Sequence, residues 1–366
     1  MSNESLVNRD WQSVVDRLGG AASLETSARE TKAFLRPREI KTAVDLLRII
    51  LGYCLGDHGL RSTAAWATSI GLVDISNVGL LYRLRQCGDW LAFLVGQAML
   101  GGAPKAAKGR LIRIIDGTTI PKAGAEAKTT NGLWRIHGAF DLPSERFGHF
   151  ELTDEKGGET LDRIPAVKGE IRLADRAFLQ PDRMASVLDA GADLIVRAGW
   201  RNARWLDANG EPVDLLGVFR KGARTGLIDR PIWIGRKSGT PLQLRLVAIK
   251  KPPQAADAAR RKARREAQKG RHQITKGTLA AADWVILVTS LSKREFSTAD
   301  ILELYRLRWR IELAFKRLKS LIGLNGPPGT DERSAKPYVL AHLLMILLLE
   351  PLVDAFEDSP RVQLAA

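Results

Sequence analysis

The sequence predicts an α/β protein: a helical N-terminal domain, a strand-rich centre and a short helical C-terminus. Three observations carry that class. Residues 1 to about 100 repeat apolar side chains at helical spacing with almost no strand signal, and short β-branched runs dominate from 111 to 290. The third is Ser297 to Gly323, STADILELYRLRWRIELAFKRLKSLIG, which reads as one long amphipathic helix with a Ser297/Asp300 capping box at its start and Gly323 at the C-cap position.

The N-terminal helices fall at 41–55, from Leu60, near Ser76 to Arg85, and over Trp90 to Leu100. Small helices with short connections fit either a helix-turn-helix-like DNA reader or a plain helical bundle. The segment LGGAPKAAKGR, rich in Gly, Ala and Lys, breaks the pattern and sets a boundary at about residue 104.

Strands come next. Leu111 to Ile115 ends at Asp116, and Glu170 to Ala174 ends at Asp175, so each carboxylate is expected at the C-terminal end of a strand, where α/β proteins build sites. Between them, Trp134 to Leu142 and Arg146 to Thr153 read as a hairpin, implying a first sheet of three strands. A helix from near Pro181 and a strand over Asp193 to Arg197 come after Asp175. Residues 199–290 read as a β-rich insertion containing a strongly basic helical run, Gln254 to Arg271, and ending in a strand from Trp284.

The chain carries 56 Lys and Arg against 41 Asp and Glu, a net charge of +15, which favours a polyanion partner and makes nucleic acid the leading one. No apolar run reaches the roughly twenty residues of a membrane span, and no signal peptide pattern opens the chain. The two cysteines, Cys54 and Cys87, form no metal-binding pattern, which fits a reducing cytoplasm. A GxxxxGK[ST] loop is lacking, so no nucleotide cofactor is expected.

On the long helix, Tyr305, Arg308, Glu312, Lys316 and Lys319 share one face, with Leu307, Ile311, Phe315, Leu318 and Ile322 beside them. One acid therefore sits within a basic, aromatic stripe. Asp116, Asp175 and Glu312 form a candidate site for Mg²⁺, because hard cations take oxygen ligands and two such ions serve phosphodiester chemistry. Taken singly, each of the three reads by default as a capping or buried carboxylate, and Glu312 with Lys316 as an ordinary ion pair.

The spacing Tyr305-x2-Arg308-x3-Glu312-x6-Lys319, with Asp116 in IIDGTTI and Asp175 in LADRAFL, resembles the bacterial insertion-sequence transposases of the Asp-Asp-Glu type that bear a Tyr-Arg-Glu-Lys signature. The resemblance covers about residues 105 to 325. It implies a ribonuclease H-like catalytic core in two parts, 105–198 and 291–326, interrupted by the β-rich insertion of 199–290. A transposon-end DNA-binding domain over 1–104 and a C-terminal segment over 327–366 with dimer contacts complete the layout. It further implies that Asp116, Asp175 and Glu312 are catalytic and bind two Mg²⁺ ions, with Mn²⁺ as a substitute. Tyr305, Arg308, Lys316, Lys319 and Arg176 would contact DNA near the cleaved end, and Trp284 would stack on a base flipped out of the duplex.

The activity so implied is cut-and-paste transposition through a hairpin intermediate, by a homodimer holding two double-stranded DNA ends in a bacterial cytoplasm, on the nucleoid. Two alternatives are a structure-specific nuclease of the same fold that does not join strands, and a non-catalytic DNA-binding protein derived from a transposase. The stripe and Trp284 argue against the first, and retention of all three acids against the second.

Overall fold

The computed structural model describes residues 11–56, 58–100, 109–122, 132–142, 146–154, 156–312, 315–316, 327 and 331–357. Among these, six helices come first: α1 Trp11–Arg17, α2 Gly20–Glu30, α3 Ala43–Leu55, α4 Leu60–Ser69, α5 Asn77–Gln86 and α6 Gly88–Leu100. The starts of α3 and α5 are chemically marked, with Thr42 accepting from the Asp45 amide at 3.0 Å and Ser76 from the Gly79 amide at 3.1 Å. The apolar side of α3 is wholly buried from Leu46 to Leu51 apart from Arg48, so its neighbours are built around it. The last helix, α12 Glu332–Glu357, packs against α6, α5 and α3, so the two ends of the chain share one helical layer. The expected boundary at residue 104 lies outside the described residues.

The nine described strands join one mixed sheet. They are β1 Ile112–Pro121, β2 Leu133–Asp141, β3 Arg146–Asp154, β4 Ile171–Ala174, β5 Asp193–Arg197, β6 Trp205–Leu206, β7 Leu227–Ile234, β8 Leu242–Lys250 and β9 Trp284–Thr289. Their order is β3-β2-β1-β4-β5-β9-β8-β7-β6. Strand β1 pairs antiparallel to β2 and parallel to β4, β4 pairs parallel to β5, and β9 joins antiparallel to β5. The three-stranded first sheet read from sequence is thus one end of a larger sheet. The β-rich segment extends that same sheet, because β9 pairs with β5 on one side and β8 on the other.

Period-two alternation divides the strands between two cores. Ile112, Ile114, Leu173, Ile195 and Leu287 face the helical layer of the chain ends, whereas Ile115, Ala174, Leu194, Val196, Ile286 and Val288 face a second layer. That second layer contains α7 Pro181–Asp189, α8 Leu215–Gly222 and α10 Lys276–Ala282. The basic run forms α9 Pro253–Lys269, which packs on α10.

Charges buried beneath the first strands fix their register. Arg113 on β1 donates to Asp141 on β2 at 2.6 Å and to Glu170 at 2.9 Å. Glu170 also accepts from the wholly buried Arg172, whose remaining donors reach the carbonyls of Leu161, Ile164 and Pro165. Each charge has partners on more than one side, the condition under which burial is tolerated.

The long helix read from sequence is broken. α11 spans Thr298–Arg306, with both halves of the Ser297/Asp300 capping box formed, and then tightens at Leu307 and Arg308 before helical residues resume at 309. The amides of Leu307, Arg308 and Arg310 each bond three residues back, to Leu304, Tyr305 and Leu307. Tightening to three residues per turn shifts the phase of the helical residues beyond it. Ile311 and Phe315 then bury against the sheet while Arg308 turns toward β1. Gly323, the expected C-cap, lies outside the described residues.

The entry to α11 is held by Arg245 of β8, which donates to both oxygens of Asp229 on β7, at 2.8 and 2.9 Å, and to the Phe296 carbonyl at 2.7 Å. Thr298 adds a bond to Asp229 at 2.6 Å. The Arg245 bonds hold the Asp229 carboxyl down at about 2, against the burial that opposes them. A folded value below the unfolded one near 3.9 stabilises the protein at every pH above that value, and the contribution disappears as pH falls through about 2. Asp229→Asn is therefore expected to cost about 2 kcal/mol at pH 7, and its deficit to wild type should narrow in denaturant titrations taken from pH 4 toward pH 2.

Candidate active site

Asp116 does not end its strand, as the sequence suggested, but lies in the middle of β1. It does lie just where β1 loses its parallel partner. Ile115 is the last β1 residue paired to β4, opposite Ala174, so Asp116 and Asp175 come at the same level on neighbouring strands. The alternation that sends Ile115 and Ala174 to the second core sends both aspartates to the other face. Arg197, after Val196 at the end of β5, faces the same way.

The helical residues after α11 pack onto that face. Gly138 on β2 pairs with Asp116, and a Cβ there would stand 3.0 Å from the Phe315 ring and 3.1 Å from Phe147. A larger residue at 138 would lift the segment bearing Glu312 off the sheet. Phe315 and Phe147, with centroids 5.3 Å apart, complete that contact.

At the centre is Arg308, which approaches Asp116 Oδ2 at 3.4 Å and donates to Glu312 Oε1 at 2.6 Å. The two aspartates are electrostatic neighbours, and Glu312 joins them through this guanidinium. Asp116 takes one good hydrogen bond, from the Gly117 amide at 2.8 Å. Burial pushes its carboxyl up to about 6, with Glu159 and Asp175 adding to the rise while Gly117 and Arg308 oppose it. Asp175 Oδ1 is buried and has no hydrogen-bond partner among the described residues. The buried Tyr305 hydroxyl lies beside the Arg308 guanidinium. Burial pushes the Tyr305 phenol up to about 12.

An orphaned carboxylate oxygen beside a second carboxylate is the donor chemistry that a hard divalent cation takes. Asp116 and Asp175 fit such an ion in that respect. No three His, Cys, Asp or Glu side chains among the described residues stand close enough to hold one together. Drawing Glu312 to the aspartates requires breaking its ion pair with Arg308.

The other residues singled out from sequence lie at varying distances from this centre. Arg176 is exposed, at the start of a short 3-10 turn directly after Asp175. Lys316 is exposed one turn beyond Glu312, and Lys319 lies outside the described residues. Trp284 is a correction. It alternates with Ile286 and Val288 into the second core, on the opposite face of the sheet from the acids. It is only 6% exposed and its ring stacks on Phe219 at 5.3 Å and 17°, so the ring face needed for a flipped base is already occupied.

Sequence reasoning missed Glu159, Arg135 and Arg197. Glu159 comes from the Gly-Gly-Glu-Thr turn after β3, which has no periodic signal, yet a Cβ on Gly117 would stand 2.6 Å from its Oε1. Arg135 of β2 lies 3.8 Å from Glu159. Arg197 could have been found, since it ends its strand much as Asp175 succeeds β4.

Residues 107–348 match the family model described as the transposase DDE domain, about two-thirds of the chain. The chain belongs to this DDE transposase family. It is 36% identical, over 96% of both chains, to InsL from insertion sequence element IS186A of Escherichia coli strain K12, and equally to the transposase for insertion sequence element IS421 of Escherichia coli. The cryo-EM structure of the piggyBac transposase synaptic complex with hairpin DNA superposes at a TM-score of 0.47 and 10% identity, covering 95% of this chain and 75% of that one. No helix among the described residues of the transposase is long and apolar enough to cross a membrane.

Two outcomes are expected from these placements. The Asp116 penalty is absent below its unfolded value near 3.9, grows as pH rises through about 6 and is complete above it. Asp116→Asn should therefore raise the melting temperature of the metal-free transposase at pH 8 by about 3 °C, with no gain at pH 4. Trp284→Ala should cost about 3–5 kcal/mol as a core truncation, whereas Trp284→Phe, which keeps the stack on Phe219, should recover most of that melting temperature.

Proposed function

We propose that this DNA transposase cuts and joins DNA at Asp116, Asp175 and Glu312, on a ribonuclease H-like core, by cut-and-paste through a hairpin intermediate. The observation that carries the reading is the Asp116–Asp175 pair at one level of two parallel strands, with Glu312 linked to it through Arg308. The order β3-β2-β1-β4-β5, antiparallel then parallel, supports the ribonuclease H-like assignment of the core.

In this reading the three carboxylates hold two Mg²⁺ ions, with Mn²⁺ as a substitute, and the ions supply activation of the attacking oxygen and stabilisation of the leaving one. The protein's part is positional. β1 and β4 fix the two aspartates rigidly, while the phase shift at Leu307 sets Arg308 between Asp116 and Glu312. Arg308, when it releases Glu312, has its Nη2 donor free for a phosphate oxygen. Tyr305, Arg176, Lys316 and Lys319 serve as DNA contacts, the last assigned from the sequence alone. Tyr305 brings a buried hydroxyl beside Arg308, suited to a phosphate or sugar oxygen. The N-terminal helices read the transposon end, and a homodimer brings two ends and two sites together. The setting is the bacterial cytoplasm, on the nucleoid.

The test uses labelled duplexes carrying the DNA that borders this reading frame, with Mg²⁺ present. Asp116→Ala, Asp175→Ala and Glu312→Ala should each reduce cleavage and strand joining to background while end binding stays within about twofold, since each removes a ligand from a folded scaffold. Wild-type cleavage in any one variant would remove that residue from the site. Cleavage by the wild type without any joined or hairpin product would leave a nuclease in place of a transposase mechanism.

A further inference from the structure

Helix α9 is anchored by one narrow side and otherwise exposed. Ala256 and Ala267 are buried against α10, Ala259 and Ala263 are partly covered between them, and Arg260 is tethered to Asp283 and Asp257. The small anchoring side chains leave the remaining cations outside. Arg261, Arg265 and Lys269 recur at four-residue spacing along one exposed stripe, and Lys262 and Arg264 flank it. Among the described residues only Lys262 of these five has an ion-pair partner, Glu266 at 4.0 Å, and that one acid lines the stripe beside Arg261, Arg265 and Lys269. A stripe of like charge held together in this way repels itself, and nothing in the packing of α9 requires it.

Its place in the sheet says what it meets. Strand β8 runs in the same direction as β5, and Val247 and Arg197 both stand opposite Leu287 of β9, so the end of β8 passes the level of the acids. α9 therefore leaves the sheet at the edge where Asp116 and Asp175 lie, about three strand spacings or 15 Å to one side. It belongs to the layer that contains α10, whereas the N-terminal helices cover the opposite face. A duplex read by those helices and bent over the acids reaches α9 only past the scissile phosphate.

We propose that the exposed stripe of α9 grips the host duplex beyond the cleavage point, through its backbone and without regard to sequence. The proposal rests on the active-site reading above for the position of that point. Arginine and lysine suit such a partner because phosphate contacts position a duplex and carry no sequence information, and the DNA bordering an insertion is arbitrary. The helix is about 25 Å long, enough to track roughly seven base steps. No base-reading Asn stands in the stripe.

The experiment compares the wild type with Arg261→Gln/Arg265→Gln/Lys269→Gln, which keeps strong helix formers at all three exposed positions. Binding is monitored by fluorescence anisotropy across a salt series on three duplexes: an end with about 20 base pairs of flank, the same end pre-cut at the junction, and a random sequence. The triple variant should lose about two to three from the log-log salt slope on the flanked and random duplexes, with about tenfold weaker binding, and be unchanged on the pre-cut end. Equal losses on all three duplexes would assign the stripe to transposon DNA, and no loss on any would leave it without a DNA role. Either result overturns the proposal. So would loss of binding only to vesicles of anionic phospholipid. If the wild type fails to prefer the end over the random duplex, the end-recognition reading fails, and the random-duplex comparison still decides the role of α9.

Discussion

The parallel pairing of β1 with β4 is the constraint on which the site depends. Because side chains alternate with a period of two, a one-residue slip would turn Asp175 to the opposite face from Asp116 and bring the apolar Ala174 into the site. Hydrogen bonds between strands do not by themselves forbid that slip. The buried Asp141–Arg113–Glu170–Arg172 chain does, because its members come from β1, β2 and the entry to β4, and a slip would leave charges without partners. Arg172 also takes three loop carbonyls from Leu161 to Pro165, which holds the segment just after Glu159 beneath the acids. Losing one member of such a network costs about 3–5 kcal/mol, which is comparable to much of a domain's net stability.

The site itself opposes folding. Burial and neighbouring acids raise Asp116, and Asp175 has a buried oxygen without a partner. Each of these disfavours the folded state, and each is what a site awaiting cations and a phosphate would require. Arg308 offsets part of the strain while the site is at rest. Its position depends on the tightened turn at Leu307, so a local departure from α-helical geometry has a chemical consequence.

Much of this was legible in the sequence. Strand and helix identities came from periodicity, and the capping box at Ser297 was visible as a pair of residues. The three acids were singled out from local patterns, a spaced signature and expected strand ends, and Asp116 lies within β1 instead of at its end. The features that were not legible depended on long-range pairing. That β9 inserts beside β5, joining the β-rich segment to the core sheet, is not encoded in any window. Trp284 was misplaced because its spacing to Tyr305 does not report which sheet face it takes. That is settled by alternation with Ile286 and Val288 and by Phe219, from a helix far earlier in the chain. Glu159 was invisible because a turn residue gains its role only from the Gly117 it touches.

The three acids are not held equally, and the inequality has a direction. Asp116 within β1 and Asp175 directly after β4 cannot move without disturbing register, whereas Glu312 is half exposed and, among the described residues, held by one ion pair. A pair of that exposure is worth about 0–1 kcal/mol, since water screens it and ordering two long side chains opposes it. In the reading proposed above, Glu312 is therefore the acid that can be exchanged at small cost, and Arg308 the group that holds it in reserve. Putting the exchangeable acid on a helix beyond the β-rich segment couples its position to that segment, because Arg245 and Asp229 of β8 and β7 clasp the start of α11. A displacement of those strands would reach Glu312 through α11, whereas the two aspartates are tied to the pairing of β1 with β4.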